Sequence, residues 1–111
     1  MKRKALAITL AAVMAMGTCA VTASAADGDT YTIGICQLVQ HVALDAATQG
    51  FKDEVTKELG EDAVTFDEQN AQGDSNTCST IVNSFVSNNV DLILANATPA
   101  LQAAAAGTSD I

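Results

Sequence analysis

Val90-Asp91-Leu92-Ile93-Leu94-Ala95-Asn96-Ala97-Thr98-Pro99-Ala100 decides how this 111-residue chain is read. The stretch opens as a short, mostly apolar run with a β-branched residue at its centre and passes into small and amide residues. Thr98 then suits a helix N-cap, and Pro99 suits the first helical turn, where its missing N–H is not needed. A buried parallel strand feeding directly into a helix has this pattern. In open α/β sheets, ligands bind at such junctions, outside the carboxyl ends of the strands.

Working outward, two earlier stretches repeat the plan. Tyr31-Thr32-Ile33-Gly34-Ile35-Cys36 reads as a first strand rich in β-formers, with Gly34 admitting a closely packed helix. Gln37-Leu38-Val39-Gln40-His41 follows as a polar loop. The spacing of Leu44, Ala47, Phe51, Val55 and Leu59 predicts a helix over residues 42–59, with Gly60 as its C-terminal cap. Ala63-Val64-Thr65-Phe66-Asp67 predicts a second strand, residues 68–75 a polar loop, and Asp74 or Ser75 the cap of a helix that buries Cys78, Ile81, Val82 and Phe85. That helix ends at Asn88-Asn89. After the opening stretch, a third helix carries Leu101 and the alanine run 103–106, with Gly107 at its end. The order βαβαβα with right-handed crossovers predicts a parallel sheet in the order 2-1-3, with helices on both faces. Thr108-Ser109-Asp110-Ile111 reads as the approach to a fourth strand, so the chain is expected to be the first part of something longer.

Residues 1–25 are expected to be a removable leader. Lys2-Arg3-Lys4 is a basic start, residues 5–16 are apolar, and Ala23-Ser24-Ala25 gives a small-x-small cleavage site. The apolar run is short for a membrane span. Lipid anchoring at Cys19 is the alternative, although Thr18 is a poor residue to precede a lipidated cysteine. The remaining 26–111 would form one lobe with one modest core, enough to hide roughly 60–65% of the unfolded surface. Beyond the leader, Lys52 and Lys57 face all thirteen acidic residues, a net charge of −11. That sign speaks against nucleic acid as a partner and suits a soluble exported domain. Cys36 and Cys78 each sit in an apolar pattern and are expected to be buried free thiols rather than a bridge. One histidine and two cysteines do not make a zinc site.

Catalytic motifs are absent. Gly34 stands outside any G-x-G-x-x-G, there is no phosphate-binding G-x-x-x-x-G-K-[ST], and His41 beside a helix start reads as a cap or a ligand hydrogen-bonder. Asp67 and Glu68 are adjacent in sequence and so face opposite ways on a strand. The three strand ends carry the chemistry: Gln37, Gln40 and His41; Gln69, Asn70 and Gln72; Asn96 and Thr98. Amides both donate and accept, and helix N-termini favour a carboxylate, so this edge suits a small zwitterionic or hydroxylated ligand.

Tyr31 to Gln37, Gln40-His41 with Ala43-Leu44-Asp45, Phe66-Asp67-Glu68-Gln69-Asn70-Ala71-Gln72-Gly73-Asp74, Val90-Asp91-Leu92-Ile93 and Ala97-Thr98-Pro99-Ala100 together resemble the ABC-transporter substrate-binding proteins of the tryptophan/tyrosine type. Members often have proline after the histidine, where this chain has Val42. The resemblance implies a two-lobed type I periplasmic-binding-protein fold, of which this chain is a partial first lobe. It also implies an aromatic or other small amino acid as ligand, delivery to a membrane ABC permease, no cofactor and no catalysis. The expected ligand-binding set is Gln37, His41, Gln69, Asn70, Gln72, Asn96, Ala97 and Thr98. A sugar-binding protein of similar fold and a fragment of a flavodoxin-like enzyme are the alternatives.

Overall fold

Hydrogen-bonded registers, rather than side-chain composition, set the limits of the strands. The computed structural model describes residues 28–111; the leader, its cleavage site and Cys19 lie outside the described residues. Strand β1 is Tyr31–Gln37, helix α1 Val42–Leu59, strand β2 Val64–Asn70, helix α2 Ser75–Ser87, strand β3 Leu92–Asn96 and helix α3 Thr98–Gly107. A single 3-10 turn, Glu61–Ala63, leads into β2. The sheet order is β2-β1-β3 and both pairings are parallel, as the βαβ pattern predicts.

The strands outrun their apolar residues. β1 keeps Gln37, and β2 runs on through Glu68, Gln69 and Asn70, which side-chain polarity alone assigns to loops. Ladder bonds are made by the backbone, so a polar side chain at the carboxyl end of a strand does not end it. At the other end of the sheet, Asp91 clasps β1: the Thr32 N–H donates to Asp91 Oδ2 at 2.8 Å and the Asp91 N–H donates to the Thr32 carbonyl at 2.8 Å.

Alternation along β1 gives each face of the sheet its own core. Cys36 joins Cys78, Ile81, Val82, Phe85, Val90, Ala100 and Ala103 beneath α2 and α3. Gly34 lies on the same face because Phe85 needs the room: a Cβ at position 34 would stand 2.7 Å from two ring carbons. Ile33 and Ile35 join Val64 beneath α1, with Phe51, Val55, Phe66 and Leu94 packed around them. Helices therefore cover both faces.

The helix ends follow local chemistry. His41 caps α1, its Nδ1 accepting the Ala43 N–H at 3.1 Å, and Gly60 closes the helix by donating its N–H to the Thr56 carbonyl. Asp74 caps α2 through the Asn76 N–H at 2.8 Å. At α3 the expected cap is displaced by one residue. Ala97 occupies the N-cap with φ 99° and ψ 158°, Thr98 is already helical, and no side chain caps the helix. Gly107 is likewise the last helical residue, with Thr108 after it. Residues 108–111 form no strand; the Thr108 hydroxyl accepts the Asp110 N–H.

Cys36 and Cys78 are fully buried free thiols, as expected. Burial, reinforced by the neighbouring Cys78, pushes the Cys36 thiol up to about 12.

Candidate functional site

Asn70, Gln37 and Asn96 stand abreast as the last residues of β2, β1 and β3, paired in register across the carboxyl edge of the sheet. Strand alternation puts all three on the face that carries α1. The first two turns of α1 lie over this row and take up much of its hydrogen bonding.

Gln37 is 4% exposed and saturated by protein partners. Its Nε2 donates to the Val39 carbonyl at 2.9 Å and to Asp45 Oδ1 at 2.6 Å, while Oε1 accepts from the Thr48 hydroxyl at 2.7 Å. Asn96 Nδ2 donates to the Leu44 carbonyl and to Thr48 Oγ1, both at 2.9 Å. Asn96 Oδ1 has no partner among the described residues, and the residue is half-buried. Asn70 turns the second loop, its Oδ1 accepting the Gln72 N–H at 2.7 Å, with Gln72 at φ 54°. The loops are tied together by the Gly73 N–H on the Leu38 carbonyl (2.7 Å) and the Ala71 N–H on the Gln37 carbonyl (2.9 Å). The Leu38 N–H reaches the Asn96 carbonyl at 3.2 Å.

An open hollow of about 380 Å³ lies beside the row, lined by Gln37, Gln40, Asp45, Glu68, Gln69 and Asn70. Next to Asn96, the uncapped start of α3 adds the N–H of exposed Thr98, which has no intrahelical partner; Pro99 after it has no N–H, and Ala100 is buried in the core. Ala97 turns the chain from strand to helix within one residue. A non-glycine residue at φ 99° is held there at a cost of about 1–3 kcal/mol, and such strain gathers at binding sites.

Of the residues expected at the site, Gln37, Asn70, Asn96, Ala97 and Thr98 share this edge. Gln69 borders the hollow, but its amide is turned back to Asp67 Oδ1 at 3.1 Å. Gln72 lies at the exposed tip of the second loop. His41 serves the α1 cap through Nδ1. Two members were missed. Asp45 enters the sequence reading only among the residues that carry the family resemblance. Thr48, 3% exposed, takes the place on the inner stripe of α1 that apolarity assigns to Ala47, which is exposed. The stripe Leu44, Thr48, Phe51, Val55, Leu59 keeps helical spacing as well as the other, and a threonine on it signals a buried partner.

Comparison with known proteins gives the chain its family. The family model described as ABC transporter substrate binding protein matches residues 32–111. The chain belongs to this family. A tyrosine-binding protein of Clostridioides difficile (strain R20291) is 46% identical to it over 83 residues, which cover 71% of this chain and 24% of that protein. Two solved substrate-binding proteins share its fold, each with a TM-score of 0.70 over 74% of this chain and 28% of theirs. One is the ligand-free, open structure of a substrate-binding protein with adhesive properties from Clostridium difficile, 43% identical. The other, 35% identical, is an ABC domain from Streptococcus pneumoniae in complex with L-Trp. The chain spans about a quarter of the length of these relatives.

Proposed function

We propose that this chain belongs to the extracytoplasmic solute-binding component of an ABC importer. In this reading its ligand is an aromatic amino acid, captured reversibly at the carboxyl edge of the sheet and passed unchanged to a membrane permease. One juxtaposition carries the proposal: the amide row ending in Asn96 is followed, a single residue later, by the uncapped N-terminus of α3. Helix N–H groups suit the carboxylate of an amino acid, and an unclaimed amide oxygen beside them suits its ammonium group. The relatives named for tyrosine and solved with L-Trp support an aromatic side chain.

The alternatives find less support. Stacked aromatics commonly hold sugars, but here Phe85 is fully buried, Phe51 and Phe66 pack edge to face, and Tyr31 begins β1 at the opposite end of the sheet. An enzyme would need an activated group, yet the imidazole of His41 is used as a helix cap, and no serine or cysteine bonds to it among the described residues. No helix among these residues is long and apolar enough to cross a membrane. Export therefore rests on residues 1–25, by cleavage after Ala25 or anchoring at Cys19; the intact mass of the secreted protein distinguishes the two.

Calorimetry of the full-length protein with L-tryptophan, L-tyrosine, L-phenylalanine and galactose tests the ligand. Asn96→Ala removes both the free oxygen and the bonds that hold it, so a loss of about 1–3 kcal/mol, roughly five- to a hundred-fold in affinity, is expected. Binding of galactose with no amino-acid binding overturns the assignment. Unchanged affinity in Asn96→Ala removes this residue from the site.

A further inference from the structure

We propose that Thr48 is a positioning residue that fixes the polarity of the site, holding Asn96 so that it offers a hydrogen-bond acceptor to the ligand. The role in binding rests on the amino-acid-binding reading above; the orienting contact itself stands on the geometry of α1 and the sheet.

Thr48 is the one fully buried position of α1, and it is polar. A threonine within a helix usually returns its hydroxyl proton to the carbonyl four residues back, which here is Leu44. Instead the hydroxyl donates across to Gln37 Oε1 at 2.7 Å, and Asn96 Nδ2 takes the Leu44 carbonyl at 2.9 Å. Counting protons leaves one arrangement. Both Nε2 protons of Gln37 are engaged, by Val39 and Asp45, so its Oε1 is the atom turned to Thr48. The single Thr48 proton is thereby committed to Gln37, and Thr48 Oγ1 can only accept from Asn96. A flipped Asn96 would press its oxygen against the Leu44 carbonyl and against a hydroxyl with no proton to give. The chain of bonds therefore runs one way, from Asn96 through Thr48 and Gln37 to Asp45, and leaves Asn96 Oδ1 as the unpartnered atom.

The consequence is chemical selectivity. An acceptor beside the free N-terminus of a helix matches a zwitterion, which carries both a carboxylate and an N–H-rich ammonium group. It gives less to an acid that lacks the ammonium. Val in place of Thr48 keeps the shape and removes the hydroxyl; Ser keeps the hydroxyl.

Two measurements on the full-length protein decide the matter. In the ligand-free wild type, NMR is expected to show both Asn96 side-chain amide protons protected from exchange by about tenfold or more relative to an exposed asparagine. Thr48→Ser should retain that protection, and Thr48→Val should lose it for the proton that Thr48 Oγ1 accepts, the Leu44 carbonyl keeping the other. In the second, wild type should prefer L-tryptophan to indole-3-propionic acid, which lacks the ammonium group. Thr48→Val should reduce that preference by about tenfold, the scale of one lost hydrogen bond, and Thr48→Ser should restore it. Freely exchanging Asn96 amide protons in the wild type overturn the proposal, even if no variant folds. Equal preference in wild type and Thr48→Val also overturns it. A wild type that binds no aromatic amino acid overturns the ligand assignment instead, while the exchange measurement still decides whether Thr48 orients Asn96.

Discussion

Beneath α2 and α3, Cys36, Cys78, Ile81, Val82, Phe85 and Val90 are all 5% exposed or less, and a glycine in β1 makes way for a phenylalanine ring. Beneath α1, the inner residues Leu44, Phe51, Val55 and Leu59 stay half-buried, and the one fully buried helix position is a threonine in a polar network. The same strand serves both: Gly34 and Cys36 face one way, Ile35 and Gln37 the other. Dense apolar packing supplies most of the free energy of folding but has little directional preference. Hydrogen bonds add little net stability and fix angles and polarity instead. In this division α2 and α3 hold the sheet together while α1 sets the geometry of its carboxyl edge.

The largest effect should come from the dense face. Phe85→Ala removes a fully buried ring and should cost about 3–5 kcal/mol in urea unfolding. The same truncation at half-buried Phe51, on the α1 face, should cost about half as much or less, because less surface leaves water. Equal losses at the two positions would break the contrast between the faces.

The second effect sharpens the contrast through pH. Burial beside Cys78 raises the Cys36 thiol from 9.0 to about 12, so the folded state holds this proton more tightly than the unfolded state does. Its contribution to stability is therefore complete below about pH 9 and is lost as pH rises from there towards 12, at up to about 1.4 kcal/mol per pH unit. Alkaline unfolding of wild type against Cys36→Ala isolates this slope from the other titrating groups. Identical slopes in the two proteins would mean that water reaches this core.

These two faces were not equally legible in the sequence. The α2/α3 side is legible almost residue by residue: Cys78, Ile81, Val82 and Phe85 as one face, Gly34 as a close approach and Asp74 as one of two candidate caps. Apolar periodicity reports burial in an apolar core, so the signal and the cause coincide. On the α1 side they diverge. Helical spacing allows either Ala47 or Thr48 on the inner stripe, and hydrophobicity alone chooses Ala47. What places Thr48 inside is a pair of partners eleven and forty-eight residues away in the chain, which no local pattern contains. For the same reason Gln37, Gln69 and Asn70 read as loop when the backbone ladder holds them in strands. The start of α3 was misplaced by one residue because Thr98 has the composition of a cap, while the junction is made by the positive φ of Ala97, a conformation alanine does not advertise. The polar carboxyl edge is therefore legible in the sequence, but the hydrogen bonds that shape it are not.

The smallest expected effect concerns the outer rim of α1, where Lys52 reaches Glu68 on β2 at 2.8 Å and lies 5.7 Å from the centre of the Phe66 ring. Lys52 and Glu68 remain 29% and 44% exposed, so water competes for both charges. A double-mutant cycle with Lys52→Met and Glu68→Gln should give a coupling of about 0–1 kcal/mol, since Met keeps the packing of the lysine stem and Gln keeps its shape. In the Glu68→Gln background, any residual loss from Lys52→Met isolates the attraction of the ammonium for Phe66, worth about 0.5–1 kcal/mol at an exposed site. At 1 M salt, where charges are screened beyond about 3 Å, the Lys52–Glu68 coupling should shrink towards zero. A coupling above about 2 kcal/mol that survives salt would exceed the range for exposed pairs. It would mean that α1 is held to β2 by a desolvated ion pair. The geometry of the amide row would then depend on charge at this rim as well as on the buried Thr48 network.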